Sequence, residues 1–557
     1  MPATKTPAQG MFGLMQDWPL TVDKILEHAR INHGQREVVT RSVEGPIVRQ
    51  TYADIYARAK QCSSALIEDG VQMGDRIATL AWNTGRHMEV WYGTMCIGSV
   101  LHTVNPRLHP DQIAWIMNHA EDTHLFFDIT FLPIVQAIHA KVPSCRRYVM
   151  LTDDAHMPQD TGIPNLVSYE SYIGGKSQDV KWGGFDENTA CGLCYTSGTT
   201  GDPKGVLYSH RSNVLHTMIG MQQDAIGGGV TDTILPVVPM FHANAWGISL
   251  SAPAAGMRLI MPGAKMDGES IYELLDSEKV TLTAAVPTVW LMLLQYLETT
   301  GKQLPHLKKV VIGGSAVPER ILRAFEEQYD VTVVHAWGMT ELSPMGSLGS
   351  IPPEILAKDR DTVVRYKLKQ GRPPFGVEMK VINSDGEDVA RDGKTSGHLV
   401  VRGPAIARAY FKGAGGEILD KDGWFDTGDV ANICEVGFMQ ITDRAKDVIK
   451  SGGEWISSID IENIAVGHPK VANAAAIGLP HPKWDERPLL IVQPKPGETV
   501  TKDEMLQFLE GKIAKWWTPD DVVFVEAIPL GATGKINKLA LREQFKSHTL
   551  PTVQAAE

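Results

Sequence analysis

The chain has 557 residues, of which 43% are hydrophobic and 21% are charged, as in ordinary globular proteins. This composition excludes disorder over most of the length, and the length itself predicts several domain-sized units. Lys and Arg number 53 against 65 Asp and Glu, which gives a formal net charge of −12. An acidic chain is a poor candidate for binding nucleic acid or an anionic membrane, so we expect neither as a partner.

The sequence carries no membrane-spanning or secretion signal. No run approaches the roughly 18 uninterrupted apolar residues that cross a bilayer, and residues 1–20 lack the apolar core of a signal peptide. Six cysteines in a chain of this length are too few for a disulfide framework. We therefore expect a cytoplasmic protein without a transmembrane segment.

Up to about residue 365, apolar and β-branched runs alternate with helical patterns. The helical pattern is clearest after the fifth run, where apolar Val317, Ile321 and Phe325 recur at helical spacing. Strands alternating with helices predict an α/β architecture with buried, largely parallel sheets. The runs predicted as strands are 76–82, 124–128, 146–152, 232–240, 308–315 and 331–338.

One cysteine pair, Cys191 and Cys194, has the spacing of a redox dithiol. Such a dithiol normally opens a helix, whereas this pair alternates with Leu193 in a strand-like run. No second pair with this spacing exists in the sequence to complete a zinc site. The pattern therefore predicts two buried strand cysteines.

After residue 365 the pattern changes twice. Short runs separated by Gly and Asp turns, at 376–389, 396–403 and 436–443, predict a small antiparallel β unit. From about residue 446 onward the pattern predicts a compact α+β module, with a helix over 503–517. Its strand-like runs are 447–457, 471–480, 486–494 and 521–529.

The segment 195–205 is the most informative of the chain. Directly after a hydrophobic strand it carries three glycines, four Ser or Thr hydroxyls and Lys204. Glycines let backbone N–H groups turn toward an anion, while hydroxyls and a lysine add donors and positive charge. A flexible surface turn rarely combines this donor density with a strand before it and a helical run after it. The pattern therefore predicts a phosphate-binding loop.

This loop is not of the Walker type, which requires Gly-Lys followed by Ser or Thr. Here Lys204 follows Gly201 by three positions and precedes Gly205. A Gly-Lys pair near the C-terminus, Gly534-Lys535, is followed by isoleucine. A P-loop kinase or ATPase is therefore disfavoured.

The loop resembles the signature loop of the adenylate-forming superfamily of acyl-CoA synthetases, peptide-synthetase adenylation domains and firefly-type luciferases. Other motifs of the family follow in its order, and the closest resemblance is to bacterial medium- and long-chain fatty acyl-CoA synthetases and 3-methylthiopropionyl-CoA ligases. The resemblance implies an α/β fold with a large N-terminal domain, 1–442, of two β-sheets layered with helices. A small β-barrel subdomain at about 365–442, a hinge at 443–446 and a small mobile α+β lid domain, 447–557, complete the expected fold.

The resemblance also implies how ATP is held. Thr340 is expected on the α-phosphate, while Glu341 and Thr196 are expected to hold Mg²⁺, since a hard cation binds oxygen ligands. Asp429 would accept hydrogen bonds from both ribose hydroxyls, and Trp337 stands at an adenine-stacking position where the family usually has tyrosine. The residues expected to contact ATP or coenzyme A are Thr196, Ser197, Gly198, Thr199, Thr200, Gly201, Lys204, Gly314, Ser315, His335, Ala336, Trp337, Gly338, Asp429, Arg444, Lys450, Gly452 and Gly453.

Residues near the C-terminus have implied roles in a domain movement. Lys535 matches the mobile catalytic lysine, which bridges the substrate carboxylate and the α-phosphate. Lys446 matches the hinge position about which the C-terminal domain rotates. Lys450, Gly452 and Gly453 match a loop that lines the tunnel for the thiol of coenzyme A in the second conformation.

The acyl group has its own implied residues. His242, grouped with Lys535 and the Thr340-Glu341 pair as catalytic, matches an aromatic or histidine position at the edge of the active site. Trp246 matches the gate tryptophan of bacterial long-chain fatty acyl-CoA synthetases, and Gly313 and Ala316 are expected at the acyl pocket.

The predicted function is an ATP-dependent acid–CoA ligase that forms acyl-CoA, AMP and diphosphate through an acyl-AMP intermediate. A medium- or long-chain fatty acid is the expected acid, with an arylalkanoate or 3-methylthiopropionate as the alternative. A second alternative is adenylation followed by transfer to a carrier protein or by light emission, and a third is a nucleotide-binding regulator that has lost catalysis. The resemblance also implies a homodimer.

Overall fold

The structure is a computed structural model that describes residue 11 and residues 13–196, 202–451, 454–531 and 535–554. Strands and helices are numbered in chain order. The strands up to residue 365 are β1 (Glu37–Arg41), β2 (Ile47–Thr51), β3 (Arg76–Leu80), β4 (Val100–Thr103), β5 (Asp122–Phe127), β6 (Arg147–Met150), β7 (Leu166–Ser168), β8 (Ala190–Tyr195), β9 (Gly205–Ser209), β10 (Thr233–Pro236), β11 (Arg258–Met261), β12 (Leu282–Ala285), β13 (Lys309–Ile312), β14 (Thr332–Gly338) and β15 (Met345–Leu348).

Helices alternate with these strands. They are α1 (Asp23–His33), α2 (Tyr52–Glu68), α3 (Gly85–Met95), α4 (Pro110–Ala120), α5 (Leu132–Ile138), α6 (Tyr169–Ile173), α7 (His210–Gly220), α8 (Ile248–Ala255), α9 (Gly268–Ser277), α10 (Pro287–Thr300), α11 (Glu319–Arg323), α12 (Pro353–Leu356) and α13 (Arg360–Leu368).

Two sheets organise this part of the chain. One has the strand order β15-β14-β13-β12-β10-β11-β1-β2 and the other the order β7-β6-β5-β3-β4-β8-β9. Neighbouring strands are parallel except in the pairs β1–β2, β14–β15 and β8–β9. Each of the six runs predicted as strands overlaps one of these strands, so the predicted α/β class with largely parallel sheets is confirmed.

The core lies between the two sheets. The fully buried aromatic side chains of Tyr52 in α2 and Trp91 and Tyr92 in α3 join residues of both sheets in one hydrophobic cluster. The Tyr52 hydroxyl donates a hydrogen bond of 2.8 Å to the carbonyl of Met257, just before β11. Helices buried on both sides are expected in such a layered arrangement.

The predicted strand cysteines are confirmed. Cys191 and Cys194 are buried in β8, and neither forms a disulfide within the described residues. The Asn213 side-chain amide donates a hydrogen bond of 3.1 Å to the Cys191 sulfur, and the Thr103 hydroxyl lies 2.9 Å from the Cys194 sulfur. These contacts assign both thiols to the packing of the sheet.

The β-rich unit follows as a third, antiparallel sheet of order β16-β17-β18-β19. Its strands are β16 (Glu378–Ile382), β17 (Gly397–Arg402), β18 (Phe425–Ile433) and β19 (Met439–Arg444). The predicted runs contain β16 and β17 and all of β19 except Arg444. Strand β18, which carries Asp429, lies outside the predicted runs.

The C-terminal module forms a fourth sheet of order β21-β20-β23-β22, with β24 beside β23. Its elements are β20 (Ile449–Ser451), β21 (Glu454–Ile456), α14 (Ser458–Val466), β22 (Val471–His481), β23 (Asp485–Pro494), α15 (Lys502–Leu509), β24 (Asp521–Phe524), α16 (Lys538–Gln544) and α17 (Pro551–Gln554).

The predicted helix over 503–517 is too long. Helix α15 ends at Leu509, and Gly511 has φ +75°, a conformation that an α-helix does not continue through. Ile513 and Trp517 still pack on the hydrophobic cluster of the C-terminal module. The apolar spacing after Leu509 therefore reflects burial of separate side chains rather than a helix. Among the described helices, none is long and apolar enough to cross a membrane.

Candidate active site

The predicted phosphate loop connects β8 to β9 at the edge of a sheet. The Thr196 N–H donates a hydrogen bond of 2.9 Å to the carbonyl of Lys204, and Tyr195 pairs with Gly205 across the two strands. The loop is thereby closed at its base, at the carboxyl end of β8, where α/β sheets place ligands. Five predicted residues of the loop lie outside the described residues: Ser197, Gly198, Thr199, Thr200 and Gly201.

Thr340 and Glu341 follow β14 in a short 3₁₀ turn, Thr340–Leu342. The Tyr208 hydroxyl donates to the Thr340 carbonyl at 2.7 Å, and the Tyr410 hydroxyl donates to Oε1 of Glu341 at 2.7 Å. The Lys204 ammonium lies 5.0 Å from the centre of the Tyr410 ring. Tyr410 therefore connects the end of the phosphate loop to the carboxylate expected to hold Mg²⁺. No pattern in the sequence singled out Tyr410.

Glu341 fits a hard cation that takes its other ligands from a bound nucleotide. Glu341 is 6% exposed, and the hydrogen bond from Tyr410 occupies one of its two carboxylate oxygens. In the described part of the chain, no group of three or more His, Cys, Asp or Glu side chains could hold a metal by itself. A single carboxylate completed by hydroxyl, water and phosphate oxygens is the usual protein environment of Mg²⁺.

Asp429 is held between an indole and a guanidinium. Its carboxylate in β18 is almost fully buried, and Oδ2 accepts a hydrogen bond of 2.9 Å from Nε1 of Trp337. Nε of Arg444, paired with Asp429 across β18 and β19, lies 2.8 Å from Oδ1. Burial raises the pKa of Asp429, while Arg444 and the indole favour the carboxylate. Trp337 is only 8% exposed, so its expected stacking on adenine stays a prediction.

Lys535 of the C-terminal module reaches this same site. A Cβ built on Gly314 would lie 4.0 Å from Cε of Lys535. Burial lowers the pKa of Lys535 to about 8, the Arg444 cation lowers it further, and Asp429 and Glu341 raise it. The structure thus brings the predicted mobile lysine together with the predicted ribose and metal carboxylates.

His242 lies in the loop after β10, directly before a 3₁₀ segment. Burial lowers the pKa of His242 to about 4, and the Lys535 and Arg107 cations act in the same direction. The imidazole is therefore neutral at physiological pH. A neutral ring beside a lysine can orient a substrate carboxylate without adding charge.

Trp246 belongs to a segment of unusual backbone conformation. Residues 243–246 have φ between 44° and 56°, and Gly247 continues with φ 76°. Such left-handed conformations cost about 1–2 kcal/mol each for residues other than glycine. The Trp246 indole is packed against Gly313, where a Cβ would lie 3.1 Å from Cη2, so Gly313 leaves the room that the indole needs.

Other predicted nucleotide contacts have structural surroundings of their own. The His335 ring is buried, and its Nδ1–H donates to the Leu368 carbonyl at 2.9 Å, which occupies that edge of the ring. A Cβ at Gly338 would lie 2.0 Å from the Pro344 carbonyl oxygen, so glycine is required there for the turn. Ala336 is partly buried, and its carbonyl oxygen faces Gly313. Their contacts with ATP stay predictions.

Other predicted residues lie at surfaces and in a cavity. Ser315 is exposed, and Ala316 lines a cavity of about 1080 Å³ between the N-terminal part and the C-terminal module. Lys446 and Lys450 are exposed on the surface, and their roles in a second conformation stay predictions. Gly452 and Gly453 lie outside the described residues.

A buried polar network surrounds the predicted hinge. Asp443 is fully buried, and its Oδ2 accepts hydrogen bonds of 2.7 Å from both the N–H and the hydroxyl of Ser458. The Lys538 ammonium donates to the Ser458 hydroxyl and forms an ion pair of 2.8 Å with Glu462. The network joins the end of β19 to α14 and to the start of α16, three residues after Lys535. Sequence patterns gave no indication of it.

Models of a known enzyme family match most of the chain. A model of the AMP-binding enzyme family matches residues 26–411, and one of the AMP-binding enzyme C-terminal domain matches residues 460–535. The chain is 49% identical to a 3-methylmercaptopropionyl-CoA ligase of Ruegeria lacuscaerulensis, over 96% of this chain and 99% of the relative. It is 45% identical to a medium-chain-fatty-acid–CoA ligase of Ectopseudomonas oleovorans, over 96% and 98%. A long-chain-fatty-acid–CoA ligase of Thermus thermophilus is 43% identical, over 96% and 97%.

The fold has counterparts among solved structures. An anthranilate CoA ligase in complex with anthranoyl-AMP superposes with a TM-score of 0.85 at 22% identity, covering 96% of this chain and 99% of that chain. The likeness confirms the predicted fold of a large α/β part followed by a smaller C-terminal one.

Proposed function

The chain belongs to the AMP-binding enzyme family and is an acid–thiol ligase, and we propose that its acid is a medium- or long-chain fatty acid. ATP and coenzyme A are its co-substrates. In the first step the acid's carboxylate attacks the α-phosphate of ATP, so that acyl-AMP forms and diphosphate leaves. In the second step the thiolate of coenzyme A attacks the acyl carbonyl and AMP leaves.

The observation that carries the proposal is the position of Lys535. Its pKa of about 8 leaves it largely protonated at neutral pH, and the Asp429 and Glu341 charges favour this protonated form. The first step brings together two anions, and a cation at their meeting point offsets their repulsion. The flexible stem and compact ammonium of a lysine can reach carboxylate and phosphate oxygens together. Lys535 would therefore favour adenylation by position and charge, without acting as a nucleophile.

The other residues would hold the nucleotide in place. Asp429 would bind the ribose hydroxyls, and Lys204 at the end of the phosphate loop would bind the outer phosphates. Glu341 and Thr196 would hold Mg²⁺, which supplies charge neutralisation at the phosphates when it is bound. The Tyr410 hydroxyl keeps one Glu341 oxygen occupied and so fixes the direction of the other.

The second step requires Lys535 to leave, because thioester formation needs room for the thiol at the acyl carbonyl. We place the pivot at Lys446, which lies in the exposed turn between β19 and β20. The loop with Lys450, Gly452 and Gly453 would then line the path of the thiol. Asp443 and Lys538 connect across this pivot through Ser458. Lys535 lies beside Gly314 in the observed conformation, which we therefore assign to the first step.

Trp246 supports an apolar acid whose entry requires a movement. The indole lies over Gly313, and its segment holds four consecutive left-handed residues without glycine. A strained segment can change conformation at low cost, because the strain is released when it moves. A long acyl chain would displace this indole. The alternative substrates are 3-methylthiopropionate, which is a short acid, and an arylalkanoate. Assembly as a homodimer is part of the same proposal.

The test is a screen of acids with three omission controls. Purified protein is incubated with ATP, Mg²⁺ and coenzyme A and with acids from three to eighteen carbons, 3-methylthiopropionate and phenylalkanoates. AMP, diphosphate and the CoA thioester are measured, and each of acid, ATP and coenzyme A is omitted in turn. We expect AMP and thioester in equal amounts and the highest kcat/KM for a medium or long chain. A preference for 3-methylthiopropionate would contradict the choice of acid, and thioester without AMP would contradict the reaction itself.

A further inference from the structure

We propose that Trp337 is a positioning residue that orients Asp429 and thereby makes the enzyme select ribonucleotides over deoxyribonucleotides. The inference rests on the proposed function, because it takes ATP as the ligand of Asp429. It assigns to Trp337 an action through its ring N–H, in addition to any contact of its ring face with the base.

The two oxygens of the Asp429 carboxylate have different partners. Oδ2 of Asp429 accepts the hydrogen bond of 2.9 Å from the Trp337 indole. Oδ1 lies 2.8 Å from Nε of Arg444 but accepts no hydrogen bond of good geometry within the described residues, although it is buried. A buried carboxylate oxygen without a hydrogen bond is costly and points to a missing donor. A ribose hydroxyl supplies such a donor.

The Trp337 indole is held in place by the residues packed around it. A Cβ built on Gly346 would lie 2.3 Å from Cζ3 of Trp337, and the same position is 2.9 Å from a methyl of Leu342. The ring therefore fills the space that any side chain at residue 346 would need. It also belongs to the hydrophobic cluster of the β-rich unit, with Leu399 and Met439. A donor fixed in this way holds the carboxylate plane without an ordering cost when the nucleotide binds.

The chemistry of the indole fixes Asp429 as an acceptor. Tryptophan is the only apolar aromatic side chain with a ring N–H, and that N–H is a donor only. Oδ1 is ion-paired with Arg444 but accepts no hydrogen bond of good geometry within the described residues, so it is available to a donor on the ligand. The nucleotide then needs a hydroxyl at that place, and a deoxyribose lacks it.

The test uses Trp337→Phe and a matched control, Trp290→Phe. Phenylalanine keeps an apolar aromatic ring and removes the N–H. Trp290 is also fully buried, but its indole N–H has no hydrogen-bond partner in the described residues. The control therefore loses a buried indole without losing a hydrogen bond to the site. Diphosphate release with saturating acid is measured with ATP, 2′-deoxyATP and 3′-deoxyATP, and thermal unfolding confirms that both variants are folded.

We expect wild-type enzyme to prefer ATP over at least one deoxynucleotide, and Trp337→Phe to reduce that kcat/KM ratio about tenfold, the scale of one hydrogen bond to a charged group. The change should lie mainly in the KM for ATP, and Trp290→Phe should keep the wild-type ratio. An equal loss with all three nucleotides, or an unchanged ratio, would overturn the proposal, since a merely structural role acts on all three alike.

A second variant reaches the same contact without removing it. Gly346→Ala places a methyl group against the indole and should displace its N–H from Asp429, with the same fall in the ratio. If both variants fold and keep the ratio, Trp337 does not position Asp429. If wild-type protein forms no AMP with any acid, the proposed function fails instead, and calorimetric binding of ATP and its deoxy analogues then tests Trp337 independently.

Discussion

The charge state of Lys535 should set the upper pH limit of adenylation. Burial first, and then the Arg444 cation, lower the pKa of Lys535 to about 8. If the protonated lysine bridges the carboxylate and the α-phosphate, as proposed, the first half-reaction should decline as pH rises through this value. At pH 9, one unit above the pKa, about a tenth of the molecules remain protonated, so kcat/KM should fall about tenfold for each further unit.

The lowered pKa of Lys535 also affects the stability of the folded conformation. Lys535 binds its proton less tightly in the folded site than in the unfolded chain, where the pKa of lysine is near 10.4. Below pH 8 the protonated lysine therefore costs the observed conformation about 3 kcal/mol, and this cost disappears as pH rises toward the unfolded value. In the proposed mechanism, binding of the two anionic substrates would offset that cost, so closure of the C-terminal module should depend on substrate.

The assay is diphosphate release or ATP–diphosphate exchange without coenzyme A, from pH 7 to pH 10, so that the thiol does not contribute. The matched variant is Lys535→Arg, which keeps the positive charge with a pKa above 12. It should be slower at neutral pH because its planar head fits differently, but it should lose the decline above pH 8. A decline at the same pH in Lys535→Arg would assign the limit to another group and refute the reasoning.

Three further predictions follow from the site and its surroundings. Glu341→Gln should raise the Mg²⁺ concentration for half-maximal adenylation, with a smaller rise in Tyr410→Phe, and a normal Mg²⁺ titration of Glu341→Gln would place the cation elsewhere. Trp246→Ala should change the order of preference among acyl chain lengths more than the KM for ATP, and unchanged relative kcat/KM values would remove it from the acyl path; its folding needs checking, since a buried Trp→Ala change costs about 3–5 kcal/mol. Lys538→Met should lower the free energy of unfolding by about 3–5 kcal/mol, because it leaves the largely buried carboxylate of Glu462 without its ion-pair partner. Lys546→Met, which removes an exposed ion pair, is the control and should stay within about 1 kcal/mol of wild type.

Patterns that repeat along the chain were readable from sequence. The alternation of apolar runs with helical spacing gave the α/β class, because strands buried on both faces must be continuously apolar. The alternation of Cys191 and Cys194 with Leu193 likewise identified buried strand thiols. The loop 195–205 could be predicted as a phosphate-binding loop because its glycines, hydroxyls and lysine are close together in the sequence.

Contacts between distant segments were not readable. Tyr410 and Glu341 lie 69 residues apart, and the Trp337–Asp429 hydrogen bond spans 92 residues. The sequence around one partner does not indicate the other, because an aromatic residue can orient a carboxylate only after the fold has brought the two side chains together. The left-handed segment 243–246 is hidden for a related reason, since alanine and tryptophan do not favour that conformation and the surrounding packing must impose it. The length of helix α15 was overestimated for a different reason. Ile513 and Trp517 are spaced as in a helix, but they pack on the hydrophobic cluster from outside α15.

The most direct test of the account separates the two half-reactions in one variant. Lys535→Ala should lose adenylation by about 10²–10³, the effect of removing one donor from a developing anion. Supplied with acyl-AMP and coenzyme A, the same protein should form thioester at close to the wild-type rate, because Lys535 has left the site by then. Lys446→Pro should show the reverse pattern, since proline fixes φ and restricts Ala445 before it, so that the pivot stalls while the first step survives. Equal slowing of both half-reactions in Lys535→Ala would contradict the alternation of the C-terminal module between two conformations.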